Sequence, residues 1–183
     1  NMSTAIIGPG LGRNFDKEIE FLWNSKFNIV LDADGLDWLS RKKPKKRVAA
    51  WVGTPHIGEM QKLLKDDFSD KWSNITKLKK HYGGDWILKG PGTLVSEDSK
   101  IWLNLYSNGW LGTAGMGDVL AGIIAGLWAS GSKTPYRSAV YLQTQCAKNF
   151  LRLNNGAGLT ASNISELIGP CICLLYTSDA ADD

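Results

Sequence analysis

Short apolar segments alternate with helical segments along most of the 183-residue chain, and this alternation restricts the fold more than any other feature. Asn28–Leu31 is a continuous apolar run, which is typical of a strand buried on both faces of a parallel sheet. A later segment has the i, i+3, i+4, i+7 spacing of one helix face, at Leu120, Ile123, Ile124 and Leu127. The alternation predicts an α/β domain whose central sheet carries helices on both faces.

The predicted elements follow one another without an internal repeat or a domain-splitting linker. Apolar runs bounded by turn residues predict strands at Ser3–Ile7, Asn28–Leu31, Val48–Val52, Trp86–Lys89, Thr93–Ser96 and Ile101–Tyr106. Helical periodicity predicts helices at Phe15–Ser25, Gly35–Ser40, His56–Leu64, Asp70–Tyr82, the segment after Gly112, Tyr136–Leu153 and Ser162–Ile168. The last two predicted strands form an antiparallel pair, so the sheet is mostly parallel.

Composition and charge argue against several classes of protein. A formal net charge of +3 is too small to imply a nucleic-acid partner, and the basic run Arg41–Arg47 reads as a solvated loop rather than a phosphate site. The longest apolar stretch, Val119–Ala129, is far shorter than a membrane span. No secretory signal opens the chain, and Cys146 falls in a predicted helix as a buried thiol. We therefore expect a cytoplasmic protein.

Both ends of the chain are unusual. It opens directly on a buried strand, so we expect that an N-terminal part of the domain is missing. After Gly169 and Pro170 the pattern dissolves into the apolar hexamer Cys171–Tyr176 and a small acidic tail. We expect this hexamer to fit no element. Residues 171–183 are therefore predicted to be a non-native tail, of the kind left by translated adapter sequence.

A glycine-rich segment, Gly112–Gly122, leads into a long predicted helix. Its glycines let the backbone approach a ligand, and the free N–H groups and positive dipole end of the helix favour an anion. Asp118 repels phosphate, but it suits a base or an acceptor for a substrate hydroxyl that attacks a phosphoryl group. From residue types alone, an ordinary loop with Asp118 as a helix-start residue explains the segment equally well.

Two further loops follow predicted strands, where α/β sheets bind their ligands. Gly8–Gly12 is not a dinucleotide fingerprint, because Arg13 stands where the last glycine is required; it suits either a ligand-contacting backbone or a plain tight connection. Lys89 opens the segment Lys89–Thr93, and its ammonium group can reach phosphate oxygens. The alternative for this segment is a hairpin-like turn with a solvated lysine.

Two pairs of polar side chains occupy similar places. His56 and Glu59 share one face of a helix start, either as a ligand-recognition pair or as a capping or surface histidine; they are too few for a zinc site. Asp32 and Asp34 follow a buried strand. They suit capping of the next helix by Asp34, together with contact to magnesium or substrate.

In this order, six segments resemble the ADP/ATP-dependent NAD(P)H-hydrate dehydratase family over about residues 3–170. The segments are Ile7–Gly12, Leu31–Leu36, Thr54–Glu59, Leu88–Thr93, Gly112–Gly126 and Gly158–Ile164. The resemblance implies a ribokinase-like three-layer α/β/α sandwich with a mostly parallel central sheet that is incomplete at the N-terminus. Residues 1–170 would then be the C-terminal two-thirds of a single catalytic domain.

The resemblance also implies a repair reaction, in which ADP or ATP with Mg²⁺ phosphorylates the hydroxyl of hydrated NADH or NADPH and phosphate then leaves. Asp118 would act as the base, beside an anion hole formed by Gly112, Thr113, Ala114 and Gly115. The nucleotide would be bound by Lys89, Gly90, Pro91, Gly92, Thr93 and Gly117. The hydrated cofactor would be held by Gly12, His56, Glu59 and Asp118. No residue is assigned as a metal ligand.

By the same resemblance we expect a homo-oligomer, specifically a tetramer, and an epimerase domain fused upstream in the parent chain. The sequence departs from the family pattern at Ile57, where proline is usual, and at Met116, where many relatives carry serine. Two other hypotheses remain open. A ribokinase-like small-molecule kinase would use the same anion loop and Asp118, and a truncated chain could be a non-catalytic fragment.

Overall fold

The computed structural model describes residues 3–65 and 70–179, with side chains described up to residue 173. In the described residues, six strands form one sheet in sequence order: β1 (Thr4–Ile7), β2 (Asn28–Leu31), β3 (Trp51–Gly53), β4 (Asp85–Leu88), β5 (Thr93–Glu97) and β6 (Lys100–Asn104). β1 to β4 are parallel, whereas β5 and β6 pair antiparallel. Among the described residues, β1 pairs on one side only, with β2.

Seven α-helices connect or follow the strands in the described part of the chain. They are α1 (Asp16–Trp23), α2 (Asp34–Lys42), α3 (Ile57–Leu64), α4 (Lys71–Tyr82), α5 (Met116–Ala129), α6 (Pro135–Leu153) and α7 (Ala161–Asp179). A single 3₁₀ turn, Gly109–Gly112, precedes α5.

The sheet buries both of its faces, and successive residues of each strand supply opposite faces. In β2, Val30 packs with α5, α6 and α7, whereas its neighbours Ile29 and Leu31 pack with α1 to α4. All three side chains are fully buried. Helices on both sides of one mostly parallel sheet confirm the predicted three-layer α/β/α architecture.

Tryptophans fill much of the layer between the sheet and α1 to α4. Trp51 of β3 stands between Trp23 and Trp86, with ring centroids 4.9 Å and 5.2 Å away in edge-on contact, and Trp38 contacts Trp23 at 5.6 Å. Each such aromatic pair adds about 0.5–1.5 kcal/mol beyond the area that it buries. This cluster anchors β3 and β4, whose ends carry part of the site described below.

The structure corrects three predicted features. The third strand is Trp51–Gly53 rather than Val48–Val52, and Val48 is fully exposed. The last helix does not end at Ile168 but continues to Asp179. The hexamer after Pro170 therefore lies in an element, contrary to expectation, and Cys171 is 2% exposed. That residues 171–183 are a non-native tail stays a prediction.

The basic run Arg41–Arg47 is largely occupied by contacts within the protein. Arg41 binds Asp16 on α1 at 3.0 Å and Asp37 on its own helix, α2, at 2.7 Å. Hydrogen bonds from Arg41 and Lys42 hold the pKa of Asp16 at about 2. Arg47 donates to backbone carbonyls at and after the end of α1. The run therefore contacts neighbouring parts of the protein. A phosphate-binding patch would instead leave its basic side chains free for a ligand.

The cysteines allow a direct test of how α7 packs. Cys146 and Cys171 are buried and Cys173 is exposed, and burial, together with a hydrogen bond that the Cys146 thiol donates to Cys171, raises the pKa of Cys146 to about 12. Because only thiolates react, a disulfide reagent at mildly alkaline pH should label Cys173 quickly and the other two only after denaturation. Rapid labelling of Cys171 in the native protein would contradict the packing of the last turns of α7.

Candidate functional site at the carboxyl edge of the sheet

Four loops and one helix start meet where the parallel strands end. Residues 8–12 follow β1, residues 32–33 follow β2, residues 54–56 follow β3 and residues 89–92 follow β4. Carboxyl ends of parallel strands lie at one edge of a sheet, which is where ligands of α/β proteins bind. The segment that opens α5 lies against the same edge, as the contacts of Gly117 with Asp32 and Lys89 show.

The start of α5 presents a group of free backbone donors. Gly115 adopts the left-handed conformation (φ 81°) as the residue before the helix. Among the described residues, the N–H groups of Ala114, Gly115, Gly117 and Asp118 donate to no protein acceptor. Together with the positive end of the helix dipole, such donors form an anion-binding site. Of the predicted anion-hole residues, Ala114 and Gly115 contribute free donors, whereas the Thr113 N–H donates to the Trp110 carbonyl at 3.2 Å.

Asp118 lies in the first turn of α5 and is exposed. Its carboxylate makes no hydrogen bond and no ion pair with another described residue, and it does not cap the helix. An acidic side chain beside free N–H donors, without a structural partner, is available to accept a proton or a hydroxyl hydrogen bond from a ligand. A role at the helix start alone would not explain why this carboxylate makes no contact within the described protein.

Lys89 is not the solvated side chain of a simple turn. Its Nζ donates to Asp32 Oδ1 at 2.9 Å and lies 4.0 Å from Glu59 Oε2, with 19% of the side chain exposed. Gly117 packs against this pair: a Cβ there would lie 3.0 Å from Lys89 Nζ and 3.3 Å from Asp32 Oδ2. The structure therefore brings the lysine to the first turn of α5, and a side chain at position 117 would crowd the ion pair.

A cavity of about 460 Å³ opens beside this charge cluster. Of the predicted nucleotide residues it is lined by Lys89, Gly90, Pro91, Thr93 and Gly117, and it also contacts His56, Gly112 and Thr113. Its far wall comes from β6, the loop that follows it and α6, through Asn104, Tyr106, Asn108, Gln143 and Thr144. A cavity of this size, with polar side chains in its wall and an anion-binding helix start beside it, suits a phosphorylated ligand.

The loop after β4 is held from below by α4. The Lys71 ammonium group donates to the carbonyls of Pro91 and Gly92, the latter at 3.2 Å, and burial lowers the pKa of Lys71. Gly90 and Gly92 both have positive φ (121° and 65°), which glycine tolerates without a steric cost. The loop connects the antiparallel strands β4 and β5, as the hairpin-like turn predicted. It is held in place by Lys71 and lines the cavity.

His56 caps α3, which is the capping role that the sequence analysis gave as the alternative to ligand recognition. Its Nδ1 accepts from the N–H groups of Gly58 and Glu59 at 3.0 Å and 3.3 Å, and Glu59 Oε2 accepts from the His56 N–H at 2.7 Å. This reciprocal capping box fixes both side chains. The imidazole still lines the cavity with 61% of the side chain exposed, so capping and ligand contact are compatible.

Asp34 does not cap α2, contrary to expectation. It is the first residue of the helix, and its carboxylate accepts from the Gly12 N–H at 2.7 Å. Gly8 approaches the same segment so closely that a Cβ would lie 1.7 Å from the Asp32 carbonyl oxygen. The Gly8–Gly12 loop is therefore a tight connection packed on residues 32–35, and it brings Gly12 to this edge without lining the cavity.

The structure separates the predicted site residues into two groups. Eight line the cavity: His56, Lys89, Gly90, Pro91, Thr93, Gly112, Thr113 and Gly117. Six adjoin it along the same edge: Gly12, Glu59, Gly92, Ala114, Gly115 and Asp118. Sequence reasoning missed Lys71 and the wall from β6 and α6. Gln143, whose Nε2 donates to the Met116 carbonyl at 2.8 Å and steadies the start of α5, carries no sequence signal.

No helix in residues 3–65 and 70–179 has the length and apolar character that crossing a membrane requires. In the same residues, no group of three or more His, Cys, Asp or Glu side chains is arranged to hold a metal ion.

Known proteins are similar to this chain in sequence. A family model described as NAD(P)H-hydrate dehydratase matches residues 1–170. The bifunctional NAD(P)H-hydrate repair enzyme Nnr of Coxiella burnetii is 31% identical over 175 residues, which are 88% of this chain and 35% of that protein. The chain thus spans about one third of that relative's length.

Solved structures are similar to this chain in fold. The ADP/ATP-dependent NAD(P)H-hydrate dehydratase of Bacillus subtilis, co-crystallised with ATP and Mg²⁺ and soaked with CoA, superposes with a TM-score of 0.79 at 25% identity and covers 92% of this chain and 64% of that one. A ribokinase-like superfamily protein of Enterococcus faecalis, at 22% identity and a TM-score of 0.79 over 91% of this chain and 61% of that chain, has the same fold. The ribokinase-like fold is confirmed, and the chain belongs to the NAD(P)H-hydrate dehydratase family.

Proposed function

We propose that this chain carries the site for nucleotide-dependent dehydration of hydrated NADH or NADPH. One observation carries the proposal: unpartnered N–H donors, the Lys89 ammonium group and an unpartnered carboxylate, Asp118, meet beside a cavity at one helix start. Phosphoryl transfer depends mainly on positioning and on stabilising charge at the transferring group, and this arrangement supplies both. Membership of the dehydratase family supplies the substrate class.

In the proposed reaction, Asp118 accepts the proton of the hydrate hydroxyl. The hydroxyl oxygen attacks the terminal phosphoryl group of ADP or ATP at the same time. The nucleotide leaves shortened by one phosphate. The N–H groups of residues 114–118 and Lys89 stabilise charge on the transferring phosphoryl oxygens. Phosphate then departs with the carbon–oxygen electron pair, and loss of a ring proton restores the nicotinamide double bond.

Nucleotide dependence implies Mg²⁺, and the residues present are compatible with it. Mg²⁺ bound to nucleotide phosphates keeps several waters and needs only one or two protein carboxylates, so the lack of a three-ligand cluster in the described residues is no obstacle. Glu59, whose Oε2 lies 4.0 Å from Lys89 Nζ, is the carboxylate that would approach the ion. The ion would neutralise charge on the phosphates.

Several finer points rest on the resemblance and remain proposals. We infer that residues 1–170 are the C-terminal two-thirds of one catalytic domain, which the one-sided pairing of β1 supports. The length of the bifunctional relative supports an upstream epimerase domain. The free cysteines suit a cytoplasmic location. A homo-oligomer, specifically a tetramer, follows from the resemblance alone.

The test uses the chain extended by the N-terminal region predicted to precede it, here called the full-length protein. Hydrated NADH is mixed with Mg²⁺ and either ADP or ATP, and the absorbance of reduced nicotinamide is followed together with free phosphate. Recovery of absorbance that requires nucleotide, with phosphate released in equal amount, is expected. A folded protein that accumulates phosphorylated hydrate, or that leaves the hydrate unchanged, would refute the dehydratase and favour a small-molecule kinase.

A further inference from the structure

The least explained charged side chain at the carboxyl edge is Asp32. It is 2% exposed, and its backbone is fixed on both sides: its N–H donates to the Ile7 carbonyl at 3.0 Å, and its carbonyl accepts from the Gly35 N–H at 2.9 Å. The carboxylate is therefore held rigidly at the end of β2. Burial of a charge is costly unless the charge has a partner, so the partner of Asp32 indicates its role.

That partner is Lys89, which comes from a different strand and reaches the edge through a flexible four-carbon stem. Asp32 Oδ1 accepts from Lys89 Nζ at 2.9 Å, whereas Glu59 Oε2 is farther away at 4.0 Å. Asp32 is thus the stronger of two anchors that limit where the ammonium group can lie. The position so defined is against Gly117, in the first turn of α5.

We propose that Asp32 is a positioning residue, which holds the Lys89 ammonium group at the anion-binding start of α5 so that it meets the nucleotide phosphates. The inference rests on the nucleotide site of the proposed function. Asp32 itself does not line the cavity and acts through Lys89. An apolar pair would fill this space without the cost of burying two charges, so a role in packing alone does not account for the ion pair.

The test is a double-mutant cycle on nucleotide affinity in the full-length protein, with Asp32→Asn, Lys89→Met and the double variant. Calorimetry with ADP or ATP and Mg²⁺, in the absence of hydrate, gives the dissociation constants. Hydrogen bonds to charged groups are worth enough for Asp32→Asn to weaken binding by about tenfold. If Asp32 acts through Lys89, the double variant should bind no more weakly than Lys89→Met alone.

Asp85→Asn is the matched control, because Asp85 also pairs with a lysine, Lys79, at 2.6 Å but lies outside the cavity. Its nucleotide affinity should stay within about threefold of the wild type. Unchanged affinity in Asp32→Asn, or losses that multiply in the double variant, would overturn the inference. A kinetic split should accompany the loss of affinity: the KM for nucleotide rises, while the KM for hydrate stays within about threefold.

Two complications are covered by the design. If Lys89→Met does not fold, Asp32→Asn is compared with the double variant, and a further loss of about tenfold or more would show that Lys89 works without Asp32. If the wild type binds nucleotide but restores no reduced nicotinamide from the hydrate, the proposed function fails while the affinity cycle still decides the role of Asp32. A wild type that binds neither ADP nor ATP would overturn both.

Discussion

Asp118→Asn in the full-length protein is expected to lower nucleotide-dependent recovery of reduced nicotinamide by about 10²–10⁴-fold, the usual cost of removing a positioned general base. The substitution keeps the shape of the side chain, and Asp118 has no hydrogen bond or ion pair with another described residue that would be lost. Folding should therefore be unaffected. The measurement is kcat/KM for hydrated NADH at saturating nucleotide, with thermal melts to confirm that the variant is folded.

Asp37→Asn serves as the matched control for this prediction. Asp37 also lies in the first turn of a helix, α2, but its carboxylate binds Arg41 and Arg13 on the surface. Its kcat/KM should stay within about threefold of the wild type. If Asp118→Asn retains most of the activity, or if Asp37→Asn loses as much, Asp118 is not the base. The unpartnered carboxylate at α5 would then need another explanation.

Lys89→Met is expected to destabilise the chain itself by about 3 kcal/mol, because it leaves the buried Asp32 charge without its ion-pair partner. For a protein of this size, that loss corresponds to a fall of roughly 6–12 °C in Tm. Methionine fills a similar volume, so the lost charge rather than lost packing should dominate. Urea denaturation gives the free energy of unfolding, provided that the slope of the transition is unchanged.

Two companion variants identify the source of that effect. Lys79→Met removes the lysine from the partly exposed Lys79–Asp85 pair, in which the two side chains are 34% and 28% exposed. Pairs that solvent reaches contribute about 0–1 kcal/mol. Adding Asp32→Asn to Lys89→Met removes the unpaired charge and should recover most of the lost stability. A Lys89→Met variant as stable as Lys79→Met would mean that solvent reaches Asp32 and that the pair is not effectively buried.

Much of the fold could be predicted because hydrophobic periodicity is a local property. The predicted strand Asn28–Leu31 is confirmed, since a short apolar run with turn residues on both sides favours a buried strand. The predicted strand Val48–Val52 begins too early, because Val48 has strand propensity but no partner to bury it. Trp51, in contrast, packs between two other tryptophans. Packing, which is not local, decided where that strand begins.

The candidate site divides in the same way. Glycines ahead of a helix, a lysine after a strand and a histidine before a helix are local signals, and each predicted residue lies along the carboxyl edge. His56 shows what local signals leave open, because capping and ligand contact use the same residue type at the same place. Only the structure showed that capping occupies Nδ1 while the imidazole still lines the cavity.

The sequence by itself determined the alternation of strands and helices, the glycine-rich helix start and Asp118, because these follow from residue type and spacing along the chain. Only the tertiary structure decided that Lys89 pairs with Asp32, 57 residues away, and that Gln143 steadies the start of α5. No periodicity encodes such contacts. They exist because sheet order and helix packing bring distant segments within hydrogen-bonding distance, and burial then makes the pairing of their polar groups obligatory.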